Sequence, residues 1–312
     1  MAQKKATASR ADAPTIAFVT TCRGRLHHLK QTLPAMAAQA PDELIVVDYD
    51  SPDGAGDWVE AHFPQAKVVR ASQPDGGFNV SRARNLGAAA ASSEWLVFVD
   101  ADILLAPPFA QAMRPAVTRG CYYQPLPQDS GAGGTYGTFA CAAADFRAIG
   151  GYDEVFEGWG REDKDIYIRL QYAGVKKAFY KPDLVHVIDH DDSERHIHAD
   201  MRDRWQNEAV NACYLEAKVK ISLALGRRGN LPLAERRNLM RKIRQIVGDW
   251  YRDGARHPLP VHFKVPPDPA LRLASGIHIQ SGATVTVVLD PVPSPDALQS
   301  SPMKPGASQG AK

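Results

Sequence analysis

The stretch "TIAFVTTCRGRLHHLKQTLPAMAAQAPDELIVVDYDSPDG", Thr15–Gly54, reads as strand, helix, strand and loop. "TIAFVT" (Thr15–Thr20) and "ELIVVD" (Glu43–Asp48) are nearly continuous apolar runs rich in β-branched residues, as strands covered on both faces of a parallel sheet are. "RLHHLKQTLPAMAAQ" between them reads as a helix. The pattern recurs with strands at "KVVRA" (Lys67–Ala71) and "WLVFVD" (Trp95–Asp100) and a helix at "SRARNLGAAAAS". Such alternation predicts an α/β fold with a mostly parallel central sheet and flanking helices. Ligands of these sheets bind beyond the carboxyl ends of the strands. The polar segments "TTCRGR", "DYDSPDG" and "DAD" are therefore the first places to look for a site.

Further along, "GTYGTFACAAADFRAIGGYDE" suggests a glycine-bounded strand, a short helix and a turn, and "KKAFY" and "DLVHVI" two more strands. Two longer helices are expected from about Ala199 to Leu225 and from Leu233 to Tyr251, followed by a hairpin-like element at "GIHIQSGATVTVVL". The expected organisation is a lead-in over 1–13, a catalytic α/β domain over 14–198, C-terminal helices over 199–258, a small β extension over 259–290 and a polar tail over 291–312.

The chain has 312 residues and a net charge of +2, too small to point to a nucleic-acid binder. Basic residues do cluster between Arg227 and Arg244. A solvated helix face is the plainer reading, and a membrane surface or acidic partner the alternative. The four cysteines form no C-x-x-C pair, which argues against structural zinc or a disulfide scaffold and fits a reducing compartment. No apolar run reaches the roughly 18 residues of a membrane span, and the start lacks the apolar core of a secretory signal. A cytoplasmic location is expected, either free or peripheral at the inner face of the membrane or within a complex.

In "LVFVDADILL", Asp100 and Asp102 stand two apart as a buried strand ends. If the chain stays extended, both carboxylates project to one side, making an oxygen-rich site suited to Mg²⁺ or Mn²⁺. The alternative is that aspartate simply ends strands and begins turns. "VHVIDHDDSERHIH" holds His186, His190, His196 and His198. The hydrolytic H-E-x-x-H pattern is absent. A polar loop accounts for His196 and His198, whereas His190 is a candidate to complete a metal shell with Asp102.

"GWGREDKDIYIRL", Gly158–Leu170, opens a helix near Arg161–Asp163, with Ile166, Leu170 and Ala173 at helical spacing. Acids in the first turn oppose the helix dipole, and Asp165 can pair with Arg169 one turn on. That covers Asp165. Glycines flanking Trp159 allow close approach of backbone to a ligand, an indole wall can stack on a sugar, and a carboxylate beside it can accept a hydroxyl proton. The helix N-terminus makes such a base weak, so it would act late, as the hydroxyl is already losing its proton.

Together these motifs resemble inverting, metal-dependent glycosyltransferases of the GT-A fold. The particular likeness is to β-1,4-galactosyltransferases and the galactosaminyl-transferring modules of bacterial chondroitin-type polymerases. It rests on "TTCRGRLHHLKQTL", "FNVSRARNLGAA", "FVDADILL", "GGYDEVFEGWGREDKDIYIRL" and "VIDH", in that order, over about Thr15–His198. The resemblance implies a nucleotide site in which Arg23 and Arg25 hold the UDP phosphates or uridine and Phe78 lies near the base. Thr21, Asp48, Asp50, Arg84, Asp100 and Gly158 complete the donor set. It implies Mn²⁺ or Mg²⁺ on Asp102 and His190, and an acceptor site of Trp159, Glu162 and Asp163, with Asp163 as catalytic base. The implied reaction moves a hexose or N-acetylhexosamine, galactose or N-acetylgalactosamine first, from a UDP-sugar to a glycan or small acceptor in one in-line displacement.

Three positions depart from the pattern. Val80 replaces a donor-binding arginine, leaving Arg84 as its substitute. Val187 stands where vertebrate-type sites use methionine, which brings His186 into consideration, and Arg161 stands where glycine is common. A nucleotidyltransferase is the alternative enzyme, but "TTCRGR" is not a glycine-rich, lysine-bearing triphosphate loop. A nucleotide-sugar-binding subunit without turnover is the alternative of another class.

Overall fold

The structure, a computed structural model, describes residues 13–73, 77–127, 134–158, 160–188, 204–265 and 283–291. The chain forms two compact units, residues 1–154 with 173–192, and residues 155–172 with 193–312. The 155–172 segment thus groups with the C-terminal elements, although the sequence places it inside the catalytic stretch.

The first unit runs β1 (Ile16–Cys22), α1 (Leu26–Ala38), β2 (Glu43–Tyr49), α2 (Ala55–His62), β3 (Lys67–Ala71), α3 (Val80–Ala90), β4 (Trp95–Phe98), β5 (Ile103–Leu105), α4 (Phe109–Ala116), β6 (Cys121–Pro125), β7 (Phe139–Ala142), α5 (Ala143–Ala148), β8 (Lys176–Tyr180) and β9 (Val185–Val187). Its seven-stranded sheet has the order β3-β2-β1-β4-β7-β6-β8. β1, β2, β3 and β4 are parallel neighbours, and β7 runs antiparallel to both β4 and β6. β5 and β9 form a separate antiparallel pair with Ile103 opposite Val187. The central strands are buried throughout because both faces are covered. Phe18, Val46 and Val97 pack with Leu29, Leu33 and Met36 of α1, residues spaced to lie on one face of that helix. On the other side α3 comes so close that a Cβ on Gly87 would stand 2.4 Å from Val19 Cγ1.

At the amino ends of the strands, the Glu43 carboxylate accepts hydrogen bonds from the backbone N–H groups of Ser92 and Ser93 and from both hydroxyls. Burial alone would raise its pKa, but the Ser93 and Ser92 donors together outweigh that and hold it below the usual carboxylate range. A group depressed on folding contributes stability above its unfolded pKa, and that contribution is lost as pH falls through the folded value. Glu43→Gln is therefore expected to cost about 1–2 kcal/mol near neutral pH. In urea titrations the difference from the native chain should shrink as pH falls below the usual carboxylate range and Glu43 takes up its proton. A difference that persists in acid would show that shape, not charge, ties β2 to the end of α3.

The second unit contains α6 (Glu162–Tyr172), α7 (Arg204–Ala224), α8 (Leu233–Arg252), β10 (Leu259–Lys264) and β11 (Thr284–Leu289). Val210, Tyr214, Leu215, Ile243 and Val247 form its core with Phe156, Val261 and Phe263. The first half of the expected hairpin, "GIHIQ", lies outside the described residues. β11, its second half, pairs antiparallel with "LPVHFK" of β10, Leu259 opposite Leu289.

Candidate donor and acceptor sites

In the first unit, the ends of β1, β2 and β4 bring several of the expected residues together. Arg23 Nη1 donates to Tyr49 O at 3.3 Å and Gly77 O at 3.1 Å, tying the loop after β1 to the end of β2 and the approach to α3. Phe78 stands edge-on to Tyr49 with ring centroids 5.3 Å apart. Gly24 N donates to Ser51 Oγ at 2.7 Å and Leu26 N to Asp53 Oδ2 at 2.7 Å. Ser51 and Asp53 thus satisfy backbone donors at the start of α1, where no side-chain cap of its own exists. Sequence reading did not single out either residue; their signal is the Asx-turn chemistry of "DSPDG".

Asp48 is buried, with Oδ1 accepting from Ser51 N at 3.0 Å and Oδ2 from Arg70 at 2.8 Å, so both oxygens organise the loop. Asp50 is exposed, in the left-handed region at φ 52°. Thr21 is half-buried in β1. Cys22 ends the same strand, and burial pushes its thiol up to about 11, which favours the neutral thiol.

The expected extended presentation of Asp100 and Asp102 is corrected. β4 ends at Phe98, and Ile103 N bonds Asp100 O at 3.0 Å, so the two aspartates occupy a turn. Each faces its own arginine. Arg84 Nη2 donates to Asp100 Oδ1 at 2.7 Å, and Arg25 Nη1 meets Asp102 Oδ2 at a looser 3.4 Å. Asp102 is 6% exposed. Arg84 is buried and also lies over the Tyr152 ring, 5.0 Å from its centroid. Its burial directs it to Asp100 and Tyr152. Beside it, Asn85 Oδ1 accepts from Tyr152 N at 2.8 Å and its amide donates to Tyr152 O at 3.0 Å, which fixes the turn after α5. A side chain on Gly151, φ 66°, would collide with that amide.

Two hard carboxylates at this turn suit a divalent ion by donor type. Among the described residues no group of three histidine, cysteine, aspartate or glutamate side chains is gathered to hold one. His190 lies outside the described residues. His186 is exposed in β9 opposite Leu104, lining a cavity of about 320 Å³ with Gln39 and Pro107.

In the second unit, Glu162 and Asp163 open α6, Glu162 buried and Asp163 half-buried. Trp159 lies outside the described residues. The loop before the helix is held by α7. Asn211 Nδ2 donates to Glu157 O and Gly160 O, both at 3.0 Å, and Arg161 pairs with Glu208. Gly158 has φ 69°, and a Cβ there would reach 2.3 Å from Asn207 Oδ1. Arg161 itself has φ 75°, a conformation that glycine takes without cost. Asn207 and Asn211 were missed in the sequence, yet two asparagines one turn apart on an apolar helix face are a legible signal. Asp165 pairs with Arg169 at 2.8 Å as expected, and also with Lys218.

Residues 17–137 match the family model Glycosyl transferase family 2, and residues 124–192 match the model described as the N-terminal domain of galactosyltransferase. A validoxylamine A glucosyltransferase of Streptomyces hygroscopicus subsp. limoneus is 26% identical, covering 52% of this chain and 49% of its own length. That of Streptomyces hygroscopicus subsp. jinggangensis (strain 5008) is 25% identical, with 52% of each covered. The chain therefore spans about half the length of the curated relatives it matches. In fold it is similar to the crystal structure of GalNAc-T7 with UDP, GalNAc and Mn²⁺, at 17% identity and a TM-score of 0.51, over 76% of this chain and 56% of that one. The sheet order and the fold likeness agree on a GT-A type of fold, and the two family matches, which overlap at residues 124–137, together run over residues 17–192 of it.

Proposed function

We propose that the protein is an inverting transferase that moves a hexose or N-acetylhexosamine from a UDP-sugar to a hydroxyl of a glycan or small acceptor. The observation that carries this reading is the turn after β4, where Asp100 and Asp102 stand against Arg84 and Arg25 beyond the carboxyl end of a buried parallel strand. Arg23 and Arg25 would bind the diphosphate, Phe78 would face the uracil ring, and Thr21, Asp50 and Gly158 would add backbone or polar contacts to the donor. Asp48 would keep the nucleotide loop in shape through Ser51 and Arg70. Arg84 would hold Asp100 for the ribose.

Asp102 and His190 would hold Mn²⁺ or Mg²⁺, which supplies charge neutralisation for the departing UDP. Trp159 and Glu162 would bind the acceptor. The acceptor oxygen attacks the anomeric carbon, its proton passes to Asp163, the bond to UDP breaks and the configuration inverts. Asp163, at a helix N-terminus, takes the proton late in the step.

The test is a donor screen with and without Mn²⁺. It should include UDP-galactose, UDP-N-acetylgalactosamine, UDP-glucose, and GDP and TDP sugars. Because the curated relatives are glucosyltransferases acting on validoxylamine A, that compound belongs in the acceptor panel. UDP release from one UDP-sugar, dependent on a divalent ion, is the expected result. Binding of UDP without release from any sugar would favour the non-catalytic subunit, and metal-independent turnover would sink the Asp102–His190 assignment.

A further inference from the structure

Helix α8 carries six basic and two acidic residues, +4, whereas the whole chain is only +2, so the remainder is −2. Its inward side is settled by Leu239, Met240, Ile243 and Val247, all buried in the core of the second unit. At 3.6 residues per turn, Arg241 and Gln245 lie opposite Ile243, with Arg237 and Lys242 on either side of that outward row. All four are exposed. The acids of the helix are both engaged, Glu235 with Arg227 and Asp249 with Arg252, and Arg244 is drawn to Glu157. Arg237, Arg241 and Lys242 make no ion pair among the described residues; Arg241 touches only the neutral amide of Asn238. Three exposed cations thus stand together on the outward side of α8, within about one and a half turns.

Two apolar side chains flank the row. Leu233 is 44% exposed at the start of α8 and Ile246 37% exposed toward its end. Cations alone would suit any polyanion. Cations flanked by exposed aliphatic side chains suit a surface with anionic headgroups above an apolar layer, because only there do both gain. None of the described helices is long and apolar enough to cross a membrane, so any attachment through this face is peripheral.

We propose that the outward face of α8, centred on Arg237, Arg241 and Lys242 and edged by Leu233 and Ile246, docks the protein on an anionic phospholipid surface. The inference is independent of the transfer chemistry, since none of these residues belongs to the donor or acceptor sites. Docking would hold a glycosyltransferase where membrane-borne acceptors or products reside.

The test is sedimentation of the full chain with phosphatidylcholine vesicles, with and without phosphatidylglycerol. Binding is expected only with phosphatidylglycerol, and should weaken as salt is raised because exposed charges are screened. The triple variant R237E/R241E/K242E should lose at least about 100-fold in affinity. L233S/I246S should lose roughly tenfold while keeping the salt dependence. Circular dichroism and the melting temperature check that both variants fold. Failure of the native chain to sediment with anionic vesicles, or equal binding by the triple variant, overturns the proposal. So does unchanged binding of L233S/I246S together with full competition by a soluble anionic polysaccharide, which would make the face a polyanion site.

Discussion

Asp165→Asn is expected to destabilise the second unit by about 3–5 kcal/mol, more than any other single substitution considered. Asp165 is fully buried, its carboxylate shared by Arg169 at 2.8 Å and by Lys218, which is 1% exposed. Lys218 Nζ also lies 5.3 Å from the Phe156 ring centroid and 5.5 Å from that of Tyr214. The triad holds one anion and two cations. Removing the anion leaves both cations facing a neutral amide in a low-dielectric core, where uncompensated charge is costly. Lys218→Met removes a cation but leaves Asp165 with Arg169, and its aliphatic body can fill the same space. It should cost less, about 1–3 kcal/mol. Urea unfolding of the two variants gives the order directly. Equal losses, or a milder effect for Asp165→Asn, would mean that the pocket admits enough water to solvate the cations. The triad fixes α6 against α7, so Asp165→Asn should also disturb the Glu162–Asp163 turn more than Lys218→Met does.

The elements that could be read from sequence were those whose local pattern and tertiary fate coincide. β1, β2 and β4 are largely apolar because both faces are covered, and α8 displays its buried stripe at helical spacing. β5 and β9, three residues each, and β6, "CYYQP", are too short or mixed to announce themselves. β11 was legible as a strand, but its partner was not, because pairing with β10 is decided by the core that both help to close. At the candidate sites, residue types were legible and geometry was not. "DAD" is compatible with an extended end or a turn, and the hydrogen bond from Ile103 to Asp100 selects the turn. Arg84 could be seen as a cation near the nucleotide, but only burial shows that it is committed to Asp100 and Tyr152. Lys218 illustrates the opposite error. A lysine amid "LEAKVKI" reads as solvated by default, and its burial depends on an aspartate fifty-odd residues away.

Asp102→Asn is expected to lower kcat/KM for the best nucleotide-sugar donor by about 10²–10³-fold while leaving the melting temperature nearly unchanged. The substitution keeps the shape of the side chain and one oxygen, so the turn closed by Ile103 N and Asp100 O can persist. Its contact with Arg25, 3.4 Å long, is too loose to carry much stability. On the proposed mechanism the charge is what the reaction uses. Without it the turn loses its hardest donor for a divalent ion, and Arg25 is no longer balanced when the diphosphate departs. Three readouts separate this from a general loss of structure. UDP binding measured by calorimetry should depend on Mn²⁺ in the native chain and lose that dependence in the variant. Raising the metal concentration should not restore the rate. Asp163→Asn, in contrast, should retain metal-dependent UDP binding and lose transfer to the acceptor by about 10²–10⁴-fold. If Asp102→Asn turned over within tenfold of the native rate, the turn after β4 would be a structural feature, and the donor's charge would have to be met by Arg23 and Arg25 alone.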